Sequence, residues 1–235
     1  MPTVSARAIA AIPAIVVGLV VLIALVFVDP IVAVVVALIL GGLTLVLVQR
    51  TATGRVLTAL SAEPLEEGVE PRLESLVESI CASHGINEPG LYVAKTTAMD
   101  AAVVGRSDDT RLVVTRGLLD QLDRLELEAV IARELSMFGS GVFAGTVLAS
   151  VGGLVGPLGG QLRARLLDDR RFVTADFDAV GVTRYPPALA AAFAKAVESA
   201  RVTHRPASDH LWMIGSGTDP VQPGLGERVD ALLEL

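Results

Sequence analysis

Two long apolar runs open the chain and set its architecture. Ile9–Val28 and Ile31–Val48 carry no charge, and Asp29 is the single charge between them. A helix rises about 1.5 Å per residue, so about 20 apolar residues cross the hydrocarbon layer of a bilayer. The residue before a proline avoids the helical region, so both runs should stop at Asp29–Pro30. The pattern therefore predicts a transmembrane helical hairpin over residues 1–50.

A cleaved signal peptide is the alternative interpretation of this segment. Its apolar region would be about 7–15 residues long and would end at a small-residue cleavage site, and the chain meets neither condition. Arg7 precedes the hairpin, and Arg50 and Arg55 follow it. Under the positive-inside tendency both ends face the cytoplasm. We expect a multi-pass protein of the cell membrane whose remaining chain is cytoplasmic.

The next stretch alternates between helical and strand patterns. Apolar residues at helical spacing predict an amphipathic helix over Pro64–His84, ended by Gly85, after a mixed linker from Arg50 to Ala62. Short apolar runs then predict a small sheet, and Asp123 with Glu126 three residues later predicts a capped helix. The fold class is α+β and predominantly helical. The predicted strands are Leu91–Lys95, Ala101–Val104 and Arg111–Thr115, and the composition of the loop 105–109 predicts that the last two form a hairpin.

The domain expected over residues 51–235 contains a glycine-rich apolar segment at 139–162. A single crossing there would move the rest of the chain outside, against the arginines that follow it. A re-entrant or interfacial hairpin, or helices buried against the first two, satisfies both features. Beyond it we expect a helix at Pro187–Val202, a loop rich in Gly, Pro, Ser and Asp at Arg205–Gly226 and a short helix at Glu227–Leu235. The arginines are Arg163, Arg165, Arg170 and Arg171.

Charge and cysteine content narrow the function classes. Lys and Arg total 19 against 26 Asp and Glu, a formal charge of -7, which argues against nucleic-acid binding. The single cysteine, Cys81, cannot form an internal disulfide, and no Cys-x-x-Cys pair is present. Neither a Ser-His-Asp order nor a phosphate-binding glycine loop suggests other chemistry.

The helix around Glu134 is the most informative part of the chain. In an H-E-x-x-H helix two histidines bind zinc from one face, and the glutamate between them deprotonates the metal-bound water. Here Arg133 and Met137 stand at the two histidine positions. A guanidinium repels a dication, and a thioether is a poor zinc ligand. The apolar stripe of this helix favours a core role for Met137.

Residues from Leu91 onward resemble the catalytic domain of the HtpX-type membrane zinc metallopeptidases, a gluzincin-like family. The resemblance is specific over Leu112–Phe138 and looser over the rest of residues 60–235. It implies a small metallopeptidase-like domain behind a membrane hairpin, with Glu134 as the position of the general base. The segments that carry it are Leu91–Ala94, Gly105–Ser107, Leu112–Leu119 and Leu125–Leu135.

The same resemblance implies where a third zinc ligand belongs. In the family a glutamate precedes an Ala-Asp pair by three residues, and Ala175–Asp176 matches that pair, so Phe172 stands at the ligand position. A His-Pro step near the family's C-terminus is also altered, since Gln222 precedes Pro223. Zinc is the family's cofactor, but no cofactor is expected here because a catalytic zinc needs three protein ligands.

Glu134 could then serve structure or chemistry. A buried carboxylate needs a partner, and Arg133 is expected to point about 100° away around the helix. Arg170, Arg171 or groups linked to Asp176 are the candidate partners. A vestigial structural hydrogen bond is favoured over catalysis, because a base without a polarised water has little to activate.

The histidines offer a different metal site. His204 and His210 flank a short loop and could combine with Asp209, but their loop setting favours exposed residues. His84 at a helix end is expected to bond the terminal carbonyls.

The leading hypothesis is a membrane-anchored, catalytically inactive relative of the HtpX-type peptidases that acts as a binding or regulatory module, for example in membrane-protein quality control. Its partners would be the lipid bilayer and either membrane-protein segments or an active peptidase relative, bound by edge-strand pairing in the former substrate cleft. One rival is an active metalloendopeptidase with non-standard ligands among His204, Asp209 and His210. Another is a purely structural membrane protein.

Overall fold

The computed structural model describes residues 6–106, 108–138, 141–155, 170–203, 205, 207–217 and 224–235. Helices dominate these residues, and four short strands form one sheet. The helices are α1 (Ala6–Leu25), α2 (Pro30–Ala59), α3 (Pro71–His84), α4 (Arg116–Gln121), α5 (Arg124–Ser136), α6 (Val142–Val155), α7 (Arg170–Thr183), α8 (Pro186–Glu198) and α9 (Leu225–Leu233). The strands are β1 (Ala62–Pro64), β2 (Gly90–Ala94), β3 (Ala101–Arg106) and β4 (Asp109–Thr115).

The N-terminal hairpin folds as predicted. Helices α1 and α2 are both long and apolar enough to cross a membrane, by length and composition. Asp29 caps α2: its carboxylate accepts from the backbone amides of Ile31 at 2.9 Å and Val32 at 3.2 Å. Pro30 fits the first helical position, where no amide hydrogen is needed. Most apolar side chains of the hairpin are exposed in the isolated chain, as expected for a lipid-facing surface.

Two predicted boundaries after the hairpin are wrong. The mixed stretch Arg50–Ala62 is not a linker, because α2 continues to Ala59. The helix expected from Pro64 begins only at Pro71, since Ala62–Pro64 pairs as a strand with β2. The proline at the first position of α3 marks the true start. Gly85 ends α3 in the left-handed conformation, φ 63°, as expected from a C-terminal glycine.

The sheet has the strand order β1-β2-β4-β3. Strand β2 runs parallel to β4, whereas β1 and β3 run antiparallel to their neighbours. The predicted β3–β4 hairpin is confirmed, with Arg106 opposite Asp109 at the turn. Strand β3 therefore lies at the edge of the sheet, next to α5. Its residues Ala101 to Gly105 are all buried, which shows that other parts of the chain cover this edge.

The main core lies between one face of the sheet and the helices α3, α5 and α8. Leu127, Ile131 and Leu135 of α5 are fully buried there, as the apolar stripe of that helix predicts. A second cluster on the other face joins the end of α2 to the sheet through Val56, Leu60 and neighbouring residues. The helix that carries Glu134 is thus fixed by packing along its length.

Helix α6 packs between the hairpin and the sheet. Its residues Ala144, Val147, Leu148 and Val151 form a cluster with Ile9, Ala10, Val48 and Ala52 of α1 and α2. On its other side, Thr146 accepts a hydrogen bond from the backbone amide of Gly105 on β3 at 3.0 Å. One prediction for 139–162 was a helical segment buried against the first two helices. Residues 142–152 agree with that prediction. Residues 139, 140 and 156–162 lie outside the described residues.

The loop expected after Arg205 is buried over residues 208–214. Every residue from Ser208 to Ile214 is buried, and Asp209–Leu211 form a 3-10 turn. The stretch Arg205–Gly226 is mostly polar, which suggested a loop, but it includes the apolar residues Trp212, Met213 and Ile214. These three residues fill the space beside β3. The C-terminal helices match their predicted positions within a few residues, as α8 and α9.

Candidate functional site

The buried centre of the domain begins with α5. Asp123 accepts from the amide of Glu126 at 2.9 Å, and Glu126 accepts from the amide of Asp123 at 2.8 Å, which is the predicted capping box. This capped start fixes the rotation of the helix and directs Arg133 and Glu134 inward. Both side chains are 1% exposed. A buried carboxylate and a buried guanidinium require partners, and each finds them within the core.

Arg133 binds two carboxylates. It donates through Nη1 to Oε1 of Glu134 and through Nε to Oδ1 of Asp176, the latter over 3.0 Å. The expectation that Arg133 points away from Glu134 is therefore wrong. Their Cα–Cβ directions diverge around the helix, but the arginine stem is long enough to bring its guanidinium back to the adjacent carboxylate.

The other expected partners of Glu134 lie elsewhere. Arg170 is exposed, and Arg171 donates through Nη2 to the backbone oxygen of His210 at 2.6 Å. The partner of Glu134 is Arg133, the residue that the sequence argument had set aside, and Arg133 also binds Asp176.

A second arginine, Arg228 on α9, completes the cluster. It binds both oxygens of Asp176, at 2.7 Å from Nε and 2.8 Å from Nη2, in a bidentate pair. Its Nη1 donates to the backbone oxygen of Met213 at 2.9 Å. Sequence reasoning missed Arg228 as a partner. The available signal was the stretch Glu227-Arg228-Val229, which follows Pro223 and resembles the Glu-Arg-Ile/Val helix of the HtpX-type family.

Phe172 packs against this cluster of charges. The guanidinium carbon of Arg133 lies 5.6 Å from the ring centroid, and that of Arg171 lies 4.8 Å away on the same ring. Both distances fit cation–π attraction. Nη2 of Arg133 has no hydrogen-bond partner among the described residues, and the ring face is the electron-rich surface near it. Phe172 is 1% exposed and thus closes the site with an apolar wall.

Burial and pairing act in opposite directions on these groups. Burial raises the pKa of Glu134 above its ordinary value, and the positive charge of Arg133 opposes that shift. For Arg133, burial works against the charged form, but the carboxylates of Glu134 and Asp176 outweigh it and raise its pKa. Arg133 is therefore a permanent cation at the position next to the candidate base.

Asp100 is a third buried carboxylate near Glu134 and Asp176. Its oxygens accept from the amides of Ala101 at 2.9 Å, Ile214 at 3.0 Å and Gly215 at 2.8 Å. Burial raises the pKa of Asp100 to about 7, the three amides lower it in part, and the charge of Glu134 adds to the rise. Sequence reasoning missed Asp100, because its role depends on a contact with residues more than 100 positions away.

The remaining candidate residues fall into different places. Met137 follows the last turn of α5 and is buried, which agrees with the core role expected for it. His84 lies 3.0 Å from the backbone oxygen of Ile80, as expected for a helix end. The exposed setting expected for His210 and Asp209 is wrong, since they are 2% and 1% exposed.

These two residues bond to the surrounding chain. Nε2 of His210 lies 3.1 Å from the backbone oxygen of Gly145, and Asp209 accepts from the hydroxyl of Ser216. His204 lies outside the described residues.

The model of Peptidase family M48 matches residues 67–139, the part of the chain that contains α3, the sheet and α5. A protein named Protease HtpX homolog from Dictyoglomus thermophilum is 37% identical over 133 residues, which cover 56% of this chain and 44% of the relative. The chain thus carries an M48 peptidase domain and is similar to HtpX homologues.

Two more HtpX homologues are similar to this chain. The one from Halobacterium salinarum is 38% identical over 99 residues, covering 42% of this chain and 34% of the relative. The one from Tropheryma whipplei is 29% identical over 206 residues and covers 71% of each chain. In the first two relatives, the match thus spans less than half of the relative's length.

The residues that the resemblance to the HtpX-type family places at zinc-ligand positions do not fit zinc. A guanidinium, a thioether and a benzene ring stand at positions 133, 137 and 172, and none supplies a lone pair that zinc prefers. The nearby carboxylates of Glu134 and Asp176 are already bound by arginines. Among the described residues no three His, Cys, Asp or Glu side chains are grouped in a way that could hold a metal ion.

Proposed function

We propose that this chain is a membrane-anchored HtpX-type M48 protein that has lost catalysis and acts as a binding or regulatory module. The observation that carries the proposal is the salt bridge from Arg133 to Glu134 and Asp176. It places a fixed positive charge at a position where the family places a zinc-binding histidine. A dication would have to approach this guanidinium, and the Coulomb repulsion in a buried site opposes that approach.

Loss of the base function follows from the same contact. A general base must be free to accept a proton from a water molecule, and that water gains its acidity from a metal. Glu134 instead accepts a charge-assisted hydrogen bond from Arg133. The family activity of peptide-bond hydrolysis is therefore absent in this proposal, and Glu134 retains a structural role.

The membrane setting supports a role in binding membrane-protein segments. The two apolar helices form the anchor, and the charges of Arg7, Arg50 and Arg55 favour a domain that faces the cytoplasm. A module in this place meets newly inserted or damaged membrane proteins and other membrane peptidases. We therefore place it in membrane-protein quality control, as a holder of segments or a regulator of an active relative.

Metal analysis and proteolysis together test the loss of catalysis. Full-length protein in detergent is loaded with zinc, passed over a desalting column and measured for bound metal and for casein cleavage, with thermolysin as the positive control. We expect neither bound zinc nor casein cleavage, and Glu134→Gln should change neither measurement. Zinc at one ion per chain, or cleavage that Glu134→Gln abolishes, would contradict the proposal.

The regulatory part needs its own measurement. An active HtpX-type protease from the same cells is assayed on casein with and without an excess of this chain in mixed micelles. We expect the rate to change when the chain is present. An unchanged rate at every ratio would count against regulation of an active relative and leave segment binding to be tested by the experiment below.

A further inference from the structure

The outer edge of β3 is the natural place for an extended partner. An edge strand presents unpaired amides and carbonyls that a peptide can pair with, and β3 lies next to α5 with its Glu134. In this chain that edge is occupied by the chain itself. We name residues Trp212–Gly215 the resident segment.

Backbone contacts place the resident segment where a partner strand would lie. Trp212 forms an antiparallel bridge with Ala102, and the amide of Met213 donates to the carbonyl of Ala101 at 2.7 Å. Farther along the same strand, the amide of Gly105 is taken by the hydroxyl of Thr146 on α6. Both ends of the β3 edge are thus satisfied within the chain.

Two buried polar side chains, Asp100 and Arg228, hold the resident segment in place. Asp100, directly before β3, accepts from the amides of Ile214 and Gly215. Arg228 donates to the carbonyl of Met213 while its other nitrogens bind Asp176. Asp176 also binds Arg133, so the resident segment is connected through Arg228 and Asp176 to the buried cluster around Glu134.

We propose that the resident segment is an autoinhibitory strand that closes the β3 edge, and that a partner strand pairs there only when the fastenings at Asp100 and Arg228 are loosened. The inference rests on the proposed binding function, since it concerns which surface that module offers. Its partner is an extended polypeptide recognised through its backbone. Side-chain selection is secondary, because strand pairing derives its affinity from main-chain hydrogen bonds.

Hydrogen exchange and a model peptide test the proposal on the full-length protein in detergent. The probe is a synthetic peptide of alternating Thr and Val with a fluorescent label, and its matched control carries N-methyl groups on alternate amides. The variants are Asp100→Asn, which keeps the shape but turns an amide group toward a backbone donor, and Arg228→Lys, which removes the bond to Met213. Asp109→Asn, at the exposed start of β4, is the control variant.

In the wild type we expect slow exchange of the amides of Met213, Ile214 and Gly215, and no binding of either peptide. In Asp100→Asn the exchange of Ile214 and Gly215 should rise about tenfold, and the unmethylated probe alone should bind. Asp109→Asn should behave as the wild type. Arg228→Lys provides the same readout if Asp100→Asn does not fold.

Three results would overturn the proposal. One is fast exchange of the resident segment in the wild type, another is wild-type binding of the unmethylated probe, and the third is increased exchange in the variants without probe binding. Bound zinc and casein cleavage are measured on the same preparations. A zinc-loaded, active protein with a protected resident segment would refute the loss of catalysis and leave the closed edge intact.

Discussion

Nε of Arg133 lies 3.0 Å from Oδ1 of Asp176, and both side chains are almost completely buried. This contact joins α5, which carries the candidate base, to α7, which carries Phe172 at the third ligand position. The two helices are therefore held together at this point by a buried ion pair.

Removing that ion pair should destabilise the domain strongly. Arg133→Met leaves Glu134 buried without its partner, and breaking a buried pair from one side costs about 3–5 kcal/mol. Urea unfolding followed by the fluorescence of the single tryptophan, Trp212, measures the change. Arg116→Met is the matched control, because its pairs with Glu70 and Asp120 lie at the surface and are worth about 0–1 kcal/mol. Equal losses in the two variants would refute the structural role of Arg133.

Restoring the ligand types should restore metal binding. The triple variant Arg133→His, Met137→His and Phe172→Glu offers two imidazoles and a carboxylate, the donor set that zinc accepts. After zinc loading and desalting we expect about one zinc per chain in the variant and none in the wild type. Adding Glu134→Gln should leave the metal in place and remove any casein cleavage. Failure of the triple variant to bind zinc would show that the three positions do not converge.

Stability should depend on pH through Asp100. Its folded-state pKa is raised from 3.8 to about 7, so the folded state holds a proton that the unfolded state releases. The resulting stability is fully present below about pH 4 and is lost as the pH rises through about 7, a contribution of a few kcal/mol. Urea midpoints of the wild type and Asp100→Asn measured between these pH values should differ in slope. Parallel pH profiles would refute this assignment.

The bond between α6 and the sheet should also be measurable. Thr146→Val leaves the buried amide of Gly105 without its acceptor, which costs about 1–3 kcal/mol. Thr58→Val serves as the control, because the exposed Thr58 hydroxyl bonds only within its own helix. Thermal unfolding of both variants in detergent tests the difference. Similar melting temperatures for the two would mean that Thr146 contributes nothing beyond helix packing.

Cysteine labelling tests the predicted orientation. The native Cys81 is 2% exposed and should stay unlabelled in folded protein. Val28→Cys lies in the turn of the hairpin and Ser75→Cys lies on the exposed face of α3. In intact cells an impermeant maleimide should label position 28 only, and position 75 should react after permeabilisation. The reverse pattern would place the domain outside the cytoplasm.

Local signals in the sequence predicted most of the fold. The Asp29–Pro30 turn, the Asp123–Glu126 capping box and the glycine at the end of α3 each depend on neighbours within a few residues. The same holds for the β3–β4 hairpin. The length of α2 was underestimated because polar residues from Arg50 onward look like a linker, although one face of the helix still packs on the sheet.

The site itself depends on distant contacts, which explains what was missed. The sequence indicated which ligand positions are altered, but helical geometry alone placed Arg133 away from Glu134 and ignored the reach of its side chain. Arg228 and Asp100 act through residues far along the chain, and no local pattern reveals such pairs. The polar composition around His210 concealed a buried segment, and only the run Trp212–Ile214 hinted at it.

The hairpin covers an apolar face of α6, which limits how the chain can be truncated. The Ala144, Val147, Leu148 and Val151 side chains of α6 are buried by residues of the two hairpin helices, including Ile9 and Val48. A truncated version without the hairpin would expose this apolar face of α6 to water and should precipitate or self-associate. The N-terminal end of α1 and the second half of α2 thus share a buried cluster with the domain, while most of the hairpin stays exposed.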